Sequence, residues 1–218
     1  MGMMMRPAPR ISLALALSGA VLSLFDGRAQ NAGPASLLKP ATLNETAPPM
    51  YRTLFDTSVG MFVIQVHRDW APHAADRFYN LVKHGFYDGC RFFRVIPKFM
   101  AQFGIHGNPA VSAAWAEATI PPDRSRQSNI RGRVTFAMSS DPGSRTTQVF
   151  INYADNSRLD IDGFAPFGEV TSSMILVELI FSKYGEDPDQ GRIQMEGNAF
   201  LSKYFPRMDY IKKATITE

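Results

Sequence analysis

The chain has 218 residues, 45% apolar and 20% charged, an ordinary globular composition that excludes a disordered or collagen-like chain. That length favours one domain with a well-filled core, or at most two small ones. The formal net charge is only +3, and part of it sits in Arg6, Arg10 and Arg28 against Asp26. The remainder is nearly balanced, which argues against a nucleic-acid partner.

In chain order, Arg6 and Arg10 precede the apolar run Ile11 to Phe25, and Gly27-Arg28-Ala29 follows it. A basic stretch, a short apolar stretch and small residues in that order read as a secretory signal over residues 1–29, cleaved rather than kept as an anchor. The run falls short of the roughly 20 residues of a membrane span. No span is therefore expected after cleavage, and the mature chain is expected to be periplasmic or secreted. Residues 30–49 carry Gly, Pro, Ala and Asn without a period and read as a linker. Within them Asn44-Glu45-Thr46 is a glycosylation sequon, meaningful only in a eukaryotic host. Residues 50–218 are left as the folded domain. The single cysteine, Cys90, rules out an internal disulfide, so packing must hold the fold. Placed at the head of an apolar run, it reads as a small buried hydrophobe rather than a reactive thiol.

Thr53 to Asp56 and Met61 to Val66 flank Thr57-Ser58-Val59-Gly60 and predict a β-hairpin, with Phe62, Ile64 and Val66 on one buried face. Pro72 opens a helix whose Ala74, Phe78, Leu81 and Val82 make a helical stripe, and Gly85 stands where a C-terminal cap belongs. Arg91–Gly104, Gly132–Met138, Gln148–Asn152 and Phe164–Val170 are short and strand-like. A second helix is expected from about Ser172 to Lys183, a long polar surface loop over 185–199, and a closing strand from Tyr210 to Ile216. Many short strands with two helices predict a mainly β fold, a closed antiparallel barrel capped by the helices.

Three blocks carry more than a fold class. Phe92-Phe93-Arg94-Val95-Ile96-Pro97-Lys98-Phe99-Met100-Ala101-Gln102, completed by Gly104, closely resembles the signature strand of cyclophilins. Phe136-Ala137-Met138 with Thr147 to Asn152 resembles the second segment of that family's active site. Leu159-Asp160 leading into Phe164 to Val170 resembles its following loop and strand. The blocks come in the family's order, and the resemblance spans about residues 51–216, closest to bacterial-type members. It implies an eight-stranded antiparallel barrel capped by two α-helices and a peptidyl-prolyl cis-trans isomerase.

The resemblance also implies roles. X-Pro rotation crosses a barrier of roughly 18–20 kcal/mol and forms no bond, so it calls for no cofactor, metal or nucleophile. Arg94 takes the place of the arginine that donates to the prolyl amide, and a guanidinium suits that task because it is always charged, planar and rich in donors. Phe99, Met100, Phe150 and Leu159 would line the proline pocket. Gln102 and Gln148 would hold the substrate backbone or orient Arg94, and Ala137 and Met138 would meet the residue before proline. Phe164 stands where many members carry histidine and can still wall the pocket. Arg158 stands where many eukaryotic members carry tryptophan, which implies weak cyclosporin binding. The expected partners are proline-containing polypeptides, and a monomer is expected.

Several motifs lead elsewhere and are weaker. Asp160-Ile161-Asp162-Gly163 imitates part of a calcium loop, but Arg158 occupies the first ligand position and a strand follows. His67, His73, His84 and His106 lack metal-ligand spacing. Ser139, Ser140 and Ser144 lie in a turn-rich segment without a nucleophile motif. Two competing readings remain open: a proline-peptide binding module or chaperone with little turnover, and a ligand-carrying barrel, which would need a large open cavity.

Overall fold

The structure is a computed structural model, and it describes Met1 and residues 35–217. The expected signal segment and the first part of the expected linker lie outside the described residues. Among the described residues, no helix is long and apolar enough to cross a membrane.

The fold starts from a hairpin. β1 (Met50–Thr57) and β2 (Gly60–His67) pair antiparallel from Met50↔His67 to Thr57↔Gly60. The Thr57 hydroxyl closes the turn by donating to the Gly60 carbonyl at 2.6 Å. Period-two alternation buries Phe55 on β1 and Phe62, Ile64 and Val66 on β2. Six further strands complete one antiparallel sheet: β3 (Arg94–Ile96), β4 (Met100–Phe103), β5 (Arg133–Phe136), β6 (Val149–Asn152), β7 (Pro166–Ser172) and β8 (Ile211–Thr217). Their order is β3-β4-β6-β5-β7-β2-β1-β8.

The sheet is open and curled, not the closed barrel expected. Its two edges meet outside the strand ladders, at an isolated bridge between Arg91 and Tyr210. There Phe92 N donates to Asp209 O at 3.0 Å, Ile211 N to Cys90 O at 2.9 Å and Gly89 N to Ile211 O at 2.8 Å. The physical reason lies on the outer edge of β3. That strand is three residues long, and the Val95 amide donates to the Gly185 carbonyl at 3.2 Å instead of to β8.

α1 (Pro72–Lys83) covers the interior with the predicted stripe, since Ala74, Phe78, Leu81 and Val82 are all buried. Phe78 stacks on Phe55 at 6.1 Å between ring centres and meets Phe167 at 4.9 Å, within an aromatic core that reaches Phe103 and Phe136. Cys90 is buried in that core as expected. Burial, reinforced by the nearby Asp88 charge, pushes its thiol well above the ordinary range, so it stays unionised and inert.

Two helices, not one, follow in the second half, and another precedes them. α2 (Pro109–Trp115) is capped by Asn108, whose side chain accepts from Ala110 N at 2.9 Å. α3 (Met174–Glu178) is far shorter than the expected 172–183 helix. α4 (Gln190–Tyr204) replaces most of the expected 185–199 loop. Its stripe is Ile193, Gly197, Phe200 and Leu201, and a glycine in a stripe position hides the period. Gly197 is there because the helix kinks at it with φ +63, and a Cβ would run into the Gly107 carbonyl. The apolar face of α4 packs with Phe93, Ile105 and Met208 into a second cluster outside the main core.

Residues 35–49, read from sequence as part of a linker, form a strap packed on the domain. Leu37, Leu43 and Ala47 are buried, and the Leu37 carbonyl accepts from Trp115 Nε1 at 2.8 Å. Asn80 brackets Glu45 by accepting from its amide at 3.1 Å and donating to its carbonyl at 2.7 Å. Side-chain-to-backbone bonds and isolated apolar anchors hold such a strap, so no period marks it in the sequence.

The N-terminus of α1 has no side-chain cap of its own. Asp123 supplies one from afar, accepting from His73 N at 2.9 Å and Ala74 N at 3.0 Å. Its carboxylate also accepts from Arg145 Nη1 at 3.2 Å, and those side chains are 1% and 2% exposed. Breaking one half of a buried pair leaves an uncompensated charge. Asp123→Ala should therefore lower the unfolding free energy by about 3–5 kcal/mol in urea titration, and a loss below about 1 kcal/mol would contradict this role for the pair.

Candidate active site

Alternation on β3, β4 and β6 sets the site. Ala101, Phe103, Val149 and Ile151 enter the core, which turns Met100, Gln102 and Phe150 to the other face. The register places Arg94 opposite Gln102 and Gln102 opposite Phe150, so these three stand in one row across the strands. Gly104 ends β4 at φ +109, where a Cβ would come within 2.5 Å of the Thr147 carbonyl. That close approach brings the 146–148 segment against β4, and Gln102 Nε2 donates to Gln148 Oε1 at 2.8 Å.

The row opens into a groove of about 410 Å³. All ten residues singled out in the sequence line it: Arg94, Phe99, Met100, Gln102, Ala137, Met138, Gln148, Phe150, Leu159 and Phe164. Phe150 and Phe164 meet edge to face at 5.8 Å. The Ala137 amide donates to the Gln148 carbonyl at 2.8 Å, which joins the 137–138 segment to the same wall. Arg94 Nη1 donates to Gln102 Oε1 at 3.3 Å. The guanidinium of Arg158 lies 4.9 Å from the Phe99 ring centre and that of Arg94 5.7 Å from it, so the ring contacts two cations.

Sequence reasoning missed five residues at the groove. Ser139, Ser144, Thr146 and Gln190 line it, and Glu186 pairs with Arg94. The two serines do act as turn residues: Ser144 Oγ donates to Asp141 O at 2.6 Å and accepts from Ser139 N at 2.8 Å. Glu186 and Gln190 come from the segment taken for a surface loop. No local signal in that segment connects it with Arg94.

A buried polar frame stands behind the apolar walls. Asn129 Nδ2 donates to the Phe164 carbonyl at 2.9 Å and to Asp160 Oδ1 at 2.7 Å. Asn129 Oδ1 accepts from Thr135 Oγ1 at 2.8 Å and Asn152 Nδ2 at 3.3 Å. Asn156 Nδ2 donates to the Phe99 carbonyl at 2.9 Å. Both oxygens of Asp160 are thus engaged, the second by Ser128 Oγ, and the loop that imitates a calcium site is a hydrogen-bonded anchor.

With this geometry in view, comparison with known proteins is decisive. The family model for cyclophilin type peptidyl-prolyl cis-trans isomerases matches residues 53–196. The chain belongs to the cyclophilin family. It is a peptidyl-prolyl cis-trans isomerase of that type. A peptidyl-prolyl cis-trans isomerase of Acinetobacter baylyi is 37% identical over 132 residues, covering 57% of this chain and 68% of the relative. Peptidyl-prolyl cis-trans isomerase A of Dickeya dadantii is 36% identical over 135 residues, covering 58% and 69%. Among solved structures, a cyclophilin type peptidyl-prolyl cis-trans isomerase of Cryptosporidium parvum superposes with a TM-score of 0.59 at 18% identity, covering 78% of this chain and 98% of that one. The same protein has also been solved in the presence of the dipeptide Ala-Pro.

The polar frame has a measurable weight in this cyclophilin. Asn129 is fully buried, and its removal leaves the Thr135 hydroxyl, an Asp160 oxygen and the Phe164 carbonyl short of partners. Asn129→Ala should cost about 2 kcal/mol or more in chemical denaturation. A change under about 0.5 kcal/mol would contradict the frame.

Proposed function

We propose that the groove binds proline-containing segments of exported, incompletely folded polypeptides and accelerates X-Pro rotation, with Arg94 as the electrostatic element. The observation that carries this is the placing of the Arg94 guanidinium beside an apolar floor. Arg94 stands at the rim, tied to Gln102, while Phe99, Met100 and Phe150 line the same groove.

The chemistry follows from what rotation needs. Amide resonance must weaken as the C–N bond twists, which concentrates a lone pair on the prolyl nitrogen. A donor aimed at that nitrogen interacts more strongly with the twisted state than with either planar isomer, and only such a difference accelerates the step. Each roughly 1.4 kcal/mol of difference gives about tenfold. The apolar walls, with Leu159 and Phe164 closing one side, hold the proline ring while the preceding residue turns. Ala137 and Met138 would meet that residue, and Gln148 would hold the substrate backbone. Arg94 and Gln102 are the proposed catalytic residues.

Export is proposed on the N-terminal pattern of Arg6, Arg10 and the run Ile11 to Phe25. The clients are then proteins folding in a periplasm or outside the cell, with the isomerase acting as a monomer. Weak cyclosporin binding is part of the proposal. Arg158, a charged flexible side chain, stands over Phe99 where many eukaryotic relatives present an indole.

A cis-to-trans assay on a short X-Pro peptide tests the reading. Arg94→Ala should lower kcat/KM by about a hundredfold, with the fold intact by circular dichroism, as expected when one preorganised donor is lost. Full activity in a folded Arg94→Ala protein would remove the arginine from the mechanism. Peptide binding by wild type without acceleration would instead favour the binding-module reading.

A further inference from the structure

The segment from Tyr184 through α4 packs mainly in the second apolar cluster, outside the core of the sheet. What it delivers to the groove is Glu186. Oε1 of Glu186 accepts from Arg94 Nε at 2.6 Å, and Arg94 Nη2 lies against the same oxygen. From the opposite direction, Nη1 is held by Gln102, which is itself tied to Gln148. The guanidinium is gripped from both sides.

The grip is built into the backbone. Val95 N donates to Gly185 O at 3.2 Å, so the residues next to Arg94 and Glu186 are bonded to each other. Gly185 takes φ +51 in the turn, a conformation that suits glycine. Tyr184 anchors the turn between Phe181 and Phe205, 5.0 Å from each. Asp189 then caps α4 by accepting from Arg192 N at 2.7 Å.

Stability does not explain such a construction. The Glu186 and Arg94 side chains are 62% and 28% exposed, and exposed ion pairs contribute little to folding. A long, flexible arginine gains more from being fixed in one rotamer before substrate arrives. Glu186 takes the Nε–Nη2 edge, and Nη1 stays on the Gln102 side, where Gln102 and Arg94 both line the groove.

We propose that Glu186 is a positioning residue for Arg94, and that the 184–204 segment serves as the platform that holds it. This inference rests on the reading of Arg94 as the element that acts on the prolyl amide. It is tested by kcat and KM on an X-Pro peptide for wild type, Glu186→Ala, Glu186→Gln, Arg94→Ala and the Arg94→Ala/Glu186→Ala double variant, with unfolding midpoints for each. Glu186→Ala should lower kcat about tenfold with KM within about twofold, because orientation and not ground-state binding is lost. Glu186→Gln keeps an acceptor oxygen and should recover most of the rate. In the Arg94→Ala background, Glu186→Ala should have no further effect, and the midpoints of the Glu186 variants should match wild type. Glu186→Ala turning over as fast as wild type or faster, an equal loss in the Arg94→Ala background, or a loss that tracks a lowered midpoint would each overturn the inference alone. Inactive wild type, or a fully active Arg94→Ala, would overturn the functional reading and this inference together.

Discussion

Each residue of a β-strand faces either the core or the other side of the sheet, and the short strands β3, β4 and β6 use both faces fully. Ala101, Phe103, Val149 and Ile151 go inward to the aromatic core. The intervening positions supply Met100, Gln102 and Phe150 to the groove. Because Arg94 pairs with Gln102 and Gln102 with Phe150, the register itself sets the distance between cation, amide and ring. A one-residue slip of β4 or β6 would turn Met100, Gln102 or Phe150 into the core. The site is therefore as rigid as the fold, and the core is what specifies it.

The polar groups behind the site serve the same end by different means. Asn129, Asn152, Asn156 and Asp160 hold the carbonyls of Phe99 and Phe164 from inside, so the loops that carry the aromatic walls are fixed by hydrogen bonds, not by ladders. Asp123 does comparable work for α1, tying its first amides to buried Arg145, which directly precedes the 146–148 wall. An unmet partner inside the protein is expensive. These networks convert that penalty into precision of loop placement.

Much of this was legible in the sequence, and the reasons differ by element. The β1–β2 hairpin and α1 follow from periods of two and 3.6 with clear turn and capping residues. The ten groove residues were legible because ordered motif blocks resemble those of a known family; alternation alone would have left Arg94 an ordinary outward-facing residue. The strap over 35–49 escaped because Leu37, Leu43 and Ala47 are anchors without a period. α4 escaped because Gly191 and Gly197 interrupt a polar stretch and the second occupies the buried stripe. The open sheet edge escaped for a related reason: Gly185 takes the Val95 amide, a contact between residues 90 positions apart with no mark in either local sequence. Glu186 was lost with it.

Catalysis requires that a bound proline actually be turned over in the groove built by β3, β4 and β6. Magnetisation exchange between the cis and trans signals of an X-Pro peptide, recorded at equilibrium with a substoichiometric amount of the protein, reads that directly. The uncatalysed exchange takes tens to hundreds of seconds. With the protein present, exchange should fall well within about one second, together with shifts of protein signals centred on Arg94, Gln102 and Phe150. Shifts at those residues with the exchange still at its uncatalysed pace would mean that the groove holds proline peptides without turning them, and that Arg94 does not act on the prolyl amide.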